Sequence, residues 1–412
     1  MRVLHIIPSV AQVRGGPSQA VLEMVSALRL EGVDAEIATT NDNGPTVLEV
    51  PCRQKINYSV GLAAKNGMQV PVRFFERRPV QSGPLSEFLF SPSLTHWLWH
   101  HVPDYDLLHV HALFSYPSTA AMAIARWHQV PYLIRPIGQL CHWPLTQSAT
   151  KKKAYLALIE RDNLQKAKGI HFTTEQELEE ASALNLTSSD FVVPHGVHLP
   201  TRLDQPKAQL RRRLNIPEAS PILLFLSRLH PKKGLDRLIA ALRHVDMPPF
   251  HLVIAGSGDP SYEAKIDRQL HASGLAARVH RVGFVTGERK QQLLQGADVF
   301  VLPSHSENFG VAVLEALAAG LPVMTSPQVA LSPLIQDHNL GWVCDNTVEA
   351  LTQTLQQTLT ETDRYDAMGQ RARQVARAQF SWPKIAHQLS QAYEQCAAIS
   401  NTPVNLETAQ LC

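Results

Sequence analysis

Only five cysteines occur in the 412 residues, and no two of them form a C-x-x-C. Cys52, Cys141, Cys344, Cys396 and Cys412 are scattered and odd in number. That pattern argues against a disulfide framework or a zinc knuckle and suits a reducing compartment. An excess of one charge is missing too. Lysine and arginine total 38 against 36 acids, a net +2, so no global field recruits nucleic acid. No window approaches the roughly 18 uninterrupted apolar residues of a membrane span. The opening run MRVLHIIPS is too short for a signal-peptide core and starts a strand directly. These absences point to a cytoplasmic globular protein, long enough for two domains of about 200 residues each.

What is present is a repeated strand–helix alternation, the signature of parallel sheets covered by helices on both faces. Its most informative stretch is ADVFVLPSHSENFGVAVLEALAAGLPVMTS, from Ala297 to Ser326. A short apolar run predicts a buried strand, and the Ala- and Leu-rich VAVLEALAAG predicts a helix stopped by Gly320 and Pro322. The polar turn between them opens on the helix N-terminus, where unpaired backbone N–H groups favour an anion. Glu307 and Glu315 bracket that turn with seven residues between them. Acids beside an anion site make sense if they bind hydroxyls, and a nucleotide sugar offers both a diphosphate and hydroxyls.

Upstream, PILLFLSRLHPKKG places Arg228 and Lys233 five residues apart at the carboxyl end of a buried strand, suited to gripping a diphosphate. The G-S-G-D after the strand Phe250–Ala255 lacks the third glycine of a dinucleotide fingerprint, because Ser261 stands there. A loop near a nucleotide, including Gly256, fits better than a nicotinamide site. In the first half, Gly15 and Gly16 precede an amphipathic helix; paired glycines allow close backbone approach, though on these residues alone a plain flexible turn is the better reading. His109 and His111 alternate onto one face of a strand. With no third ligand at a recognisable spacing, core or loop histidines are the better reading. Lys151–Lys153 on the first turn of a long helix could rest on an anionic membrane surface, while a solvated face is the plainer alternative. Residues 45–105 show no pattern that resolves into elements.

ENFGVAVLE, with the following A-x-G-x-P-V, resembles the E-x7-E motif of retaining glycosyltransferases of family 4, which have the two-domain GT-B fold. RLHPKKG resembles the family's R-x-x-x-x-K-G. The resemblance implies an α/β architecture of two Rossmann-like domains whose parallel sheets face a central cleft. It implies an acceptor-side domain over 1–200, a donor domain over 201–379, and a helix over 380–400 crossing back to the first domain. Residues 401–412 read as a disordered tail. By the same resemblance Arg228, Lys233 and Glu307 carry catalysis. The donor is held by those three with Gly15, Gly16, Gly256, Gly283, Phe284, Asn308, Phe309, Gly310 and Glu315. The family often places a His or Arg where this chain has Ile137, so His111 and Arg135 are candidates to approach the sugar instead. A nucleotide-diphospho-sugar is implied as co-substrate and a glycan or lipid-linked molecule as acceptor. No metal or other cofactor and no nucleic acid is implied, and contact with the inner membrane surface would be peripheral. Another GT-B enzyme, such as a nucleotide-sugar epimerase or a phosphorylase, and a nucleotide-sugar-binding scaffold remain the alternatives.

Overall fold

A computed structural model describes residues 1–58, 69–78, 88–141, 155–185, 189–245 and 249–398. The chain divides into two compact units. The first joins Met1–Pro194 to Trp382–Cys412, and the second is His195–Ser381. The sequence alone places these divisions after residues 200 and 379.

Unit 1 is built on β1 (Arg2–Ser9), β2 (Asp34–Thr40), the short pair β3 (Asp42–Asn43) and β4 (Thr46–Val47), β5 (Lys55–Tyr58), β6 (Val70–Phe75), β7 (Leu107–His111), β8 (Tyr132–Arg135), β9 (Gly169–Phe172) and β10 (Phe191–Val192). Its main sheet runs β10-β9-β8-β7-β1-β2-β6-β5, parallel except where β5 pairs antiparallel with β6. Strands β5 and β6 and the helix Pro92–His101 fall in the stretch that gave no readable pattern. VPVRFF carries a proline inside a strand, and PSLTHWLWHH offers aromatics and histidines rather than a clean apolar stripe.

Helices cover both faces of this sheet. The closing helix Trp382–Ala398 presents Trp382, Ile385, Ala386, Leu389, Tyr393 and Cys396, spaced three and four apart, to one face. There they share a core with Val3, Ile7, Val21 and Leu133. On the other face Leu4, Ile6, Leu98, Val110, Ile134 and Phe172 form a second core. The long helix expected from Ala149 is different in its described part, a π-helical turn at Leu156–Glu160 leading into Arg161–Gln165. Lys151–Lys153 and the tail 401–412 lie outside the described residues.

Unit 2 carries β11 (Ile222–Leu226), β12 (His251–Ala255), β13 (Val279–Gly283), β14 (Val299–Leu302), β15 (Val323–Thr325) and β16 (Gly341–Val343). All pair in parallel in the order β13-β12-β11-β14-β15-β16. ILLFL and VFVL are continuous apolar runs because helices bury both faces of the central strands. In order of appearance this is 3-2-1-4-5-6, the doubly wound Rossmann arrangement. The chain reverses direction across the sheet between β11 and β14, and in unit 1 between β1 and β7. Open α/β sheets bind ligands at the carboxyl ends of such strands. No helix among the described residues is long and apolar enough to cross a membrane.

Candidate functional site

The reversal point of unit 2 is where the polar side chains collect. Strand β11 ends into Ser227 and Arg228, and a 3-10 turn at Pro231–Lys233 follows. Gly234 then takes φ +73°, and a Cβ there would lie 2.0 Å from the Pro303 carbonyl oxygen. Only glycine allows this approach, which brings the lysine turn against the end of β14. His305 N–H donates to the Lys232 carbonyl at 2.8 Å, and the Ser304 hydroxyl lies 2.9 Å from the same oxygen. The two loops are thus stitched together.

Lys233 and Glu307 meet in a direct ion pair, with side chains 16% and 13% exposed. The Ser304 hydroxyl also lies 2.9 Å from Glu307 Oε1. Glu307 is fixed through its backbone as well: its N–H donates to Gln328 and its carbonyl accepts from Ala330. Arg228 is exposed just beyond the carboxyl end of β11. The field there is positive. Partial burial first, then Arg228, Lys233 and Lys232, push the His230 imidazole below its ordinary value.

The helix Val311–Ala319 opens on Gly310 at φ 90°, with no side-chain cap and no acid in its first turn. Its N-terminal N–H groups are therefore suited to receive an anion, with the helix dipole in support. Glu315, one turn in, pairs with Lys290 of the helix Gly287–Gly296. Lys290 was missed from sequence, being 25 positions away with no motif to mark it.

The remaining donor-side candidates divide. Gly283 and Phe284 are exposed at the end of β13, Phe284 by 58%. The Gly256 N–H is already spent on the Gly283 carbonyl at 2.8 Å, so that amide is not available to a phosphate. Phe309 is 3% exposed, packed edge-on to His195 and Phe380, so its side chain belongs to the core and only its backbone can serve a ligand. Asn308 lies in the loop between Glu307 and the helix. Gly15 and Gly16 belong to unit 1, at the carboxyl end of β1, with Gly15 exposed at φ +85°. There the Arg14 guanidinium is held by the buried Asp42 carboxylate at 2.8 and 3.1 Å.

The sugar-side candidates are corrected by the structure. His111 and Arg135 have no exposed surface. Strand alternation turns both onto the face under the closing helix, and Arg135 lies 3.4 Å from His111 Nδ1. Fully covered groups are poor partners for a diffusing sugar. They belong instead to a buried imidazole network. His5 on β1 sits opposite His109 on β7, and with His111 the three bring nitrogens within 4.8 Å of one another. Spacing could not show this third imidazole, since it comes from a distant strand.

Hydrogen bonds account for most of these nitrogens. His171 Nε2–H donates to the Val193 carbonyl at 2.7 Å, so its Nδ1 accepts from His109 (3.3 Å), whose Nδ1 then accepts the Tyr393 hydroxyl at 2.7 Å. With Arg135 donating to His111 Nδ1, His111 Nε2–H donates to His5 Nδ1 at 3.0 Å. Only His5 Nε2 is left without a partner. Ile137, in the position of the family's usual His or Arg, holds φ 56°, a strained conformation for a β-branched residue. The sequence's single D-x-D, Asp104-Tyr105-Asp106, caps the amino end of β7, where Asp106 accepts from the Arg2 N–H at 2.7 Å.

Comparison with known proteins fits this geometry. The model of the family described as Glycosyl transferases group 1 matches residues 206–375, and that of the Glycosyl transferase 4-like domain matches residues 15–196. The chain belongs to the group 1 glycosyltransferases. It is 26% identical over 396 residues to a D-inositol 3-phosphate glycosyltransferase of Xylanimonas cellulosilytica, covering 92% of each chain. It is 32% identical over 224 residues to a GDP-mannose-dependent alpha-(1-6)-phosphatidylinositol monomannoside mannosyltransferase of Mycobacterium tuberculosis, covering 51% of this chain and 57% of that one. Among solved structures, Anabaena HepE in complex with UDP and glucose superposes with a TM-score of 0.74 at 18% identity, covering 96% of this chain and 100% of that one. The glycosyltransferase therefore has the GT-B fold, with two Rossmann-like units.

Proposed function

We propose that this glycosyltransferase moves a sugar from a nucleotide-diphospho-sugar to a glycan or lipid-linked acceptor, with retention at the anomeric carbon and without a metal ion. The carrying observation is the convergence of Lys233, Glu307 and the uncapped helix N-terminus at the reversal point of unit 2. Breaking the anomeric C–O bond leaves negative charge on the diphosphate. Arg228, Lys233 and the N–H groups from Gly310 onward would receive that charge where it develops. Fixed positive groups of this kind can stand in for a divalent ion. Glu307 would orient the sugar hydroxyls, and Glu315 would accept from the ribose hydroxyls.

Retention would follow if the acceptor attacks on the face the diphosphate leaves, its proton passing to the departing phosphate oxygen. The inositol phosphate and phosphatidylinositol mannoside in the relatives' names support a phosphorylated or lipid-linked acceptor, and a protein of this kind would meet a lipid acceptor by peripheral contact. The deciding experiment supplies UDP-, GDP- and ADP-sugars, with and without EDTA, and reads the product's anomeric configuration by NMR. Retention with full rate in EDTA is expected. An inverted product, or activity abolished by EDTA and restored by a divalent ion, would overturn the corresponding half. Nucleoside diphosphate released without acceptor would favour an epimerase.

A further inference from the structure

Lys233 and Glu307 are assigned above to two adjoining parts of one donor, its diphosphate and its sugar, yet in this structure they neutralise each other. Both are largely buried, and Glu307 Oε1 lies within hydrogen-bond reach of the Ser304 hydroxyl too. Neither can serve the donor while fully engaged with the other. We propose that the Lys233–Glu307 ion pair discriminates the intact donor from the spent nucleoside diphosphate and drives the latter's release. This rests on the donor reading given above.

The exchange is electrostatic, with no bond made or broken. A nucleoside diphosphate alone draws the ammonium away and leaves a largely buried carboxylate without its cation, which is costly. An intact nucleotide sugar replaces both halves of the pair: the diphosphate takes the ammonium while sugar hydroxyls donate to the carboxylate. Once the sugar has been transferred those hydroxyls are gone. The carboxylate then reclaims Lys233, and the diphosphate loses its grip. Glu315 repeats the arrangement on a smaller scale, since the ribose must displace Lys290 to reach it. Each acid of the pair thus has its own lysine as placeholder, and a ligand is rewarded only for the ends it can replace.

Calorimetric titration of the full chain with UDP, GDP, UDP-glucose and GDP-mannose tests this, comparing wild type with Glu307→Gln and Glu307→Asp. In Glu307→Gln, which removes the charge, the nucleoside diphosphate should bind about tenfold tighter, whereas Glu307→Asp, which keeps a carboxylate one methylene shorter, should gain less. The matching sugar nucleotide should bind no tighter, so the preference for the intact donor shrinks. Product inhibition in steady-state assays should strengthen in parallel. If UDP and GDP bind the variants no tighter than wild type, the ion-pair inference falls and the donor reading stands. If wild type binds none of the four, nor ADP and ADP-glucose, the donor reading itself falls.

Discussion

Replacing Lys233 or Arg228 by alanine should lower kcat by about two to three orders of magnitude, the usual loss when one charge-stabilising group leaves a transition state. The two should differ in their side effects. Lys233→Ala also strands Glu307, whereas Arg228 is exposed just beyond β11 and pairs with no acid among the described residues. Steady-state kinetics beside thermal melts will separate them, and full turnover in either variant would remove that residue from the mechanism. These residues were legible because two short motifs compress them into a few turns of chain. Lys290 was not, because it reaches Glu315 from another helix. His111 and Arg135 were misread for the same reason. They bond each other, and His111 bonds His5, which comes from the first strand of unit 1, 106 residues away. A sequence shows which residues could bind a ligand, but not which are already engaged inside the core.

At the scale of elements, the approach of the Pro231–Lys233 turn to β14 depends on Gly234. Gly234→Ala adds a methyl that meets backbone at 2.0 Å and a left-handed φ that alanine resists. Backbone carbonyls cannot rotate away as a side chain would. A loss of about 1–3 kcal/mol in urea unfolding is expected, with a fall in activity larger than the stability loss explains, because Lys233 moves with the turn. An unchanged unfolding midpoint would show that the turn relaxes freely. The strands of unit 2 are readable since ILLFL, LVIA and VFVL are continuous apolar runs that end in glycine, proline or charged turns. In unit 1, β5 and β6 escaped notice. An antiparallel edge strand and a proline-bearing partner carry neither clean alternation nor a continuous apolar run.

At the scale of the whole molecule, unit 1 cannot be completed until the last helix has been made. Trp382–Ala398 closes the face that holds His5, His109, His111, His171 and Arg135, and its Tyr393 hydroxyl donates into that network. Burial, and secondarily Arg135, pulls His5 and His171 down to about 3, while burial followed by the neighbouring imidazoles and Arg135 holds His109 well below its ordinary value. The folded unit therefore keeps these rings neutral, whereas the unfolded chain protonates them near the ordinary 6.5. Below that value the unfolded state binds more protons, so stability is fully present above about pH 6.5 and drains away as the pH falls toward 3. Each ring contributes a slope of about 1.4 kcal/mol per pH unit, so three give about 4 kcal/mol per unit once the unfolded rings are charged. Ordinary carboxylates titrate lower, and the Glu160 carboxyl, which burial raises, adds stability as the pH falls, the opposite sign. The urea midpoint for the transition that exposes unit 1, followed from pH 7.5 to 5, should begin to fall near 6.5 and steepen below 6. A midpoint that stayed level to pH 5 would mean that the imidazoles find protons or solvent in the folded protein, and that the closing helix does not seal them.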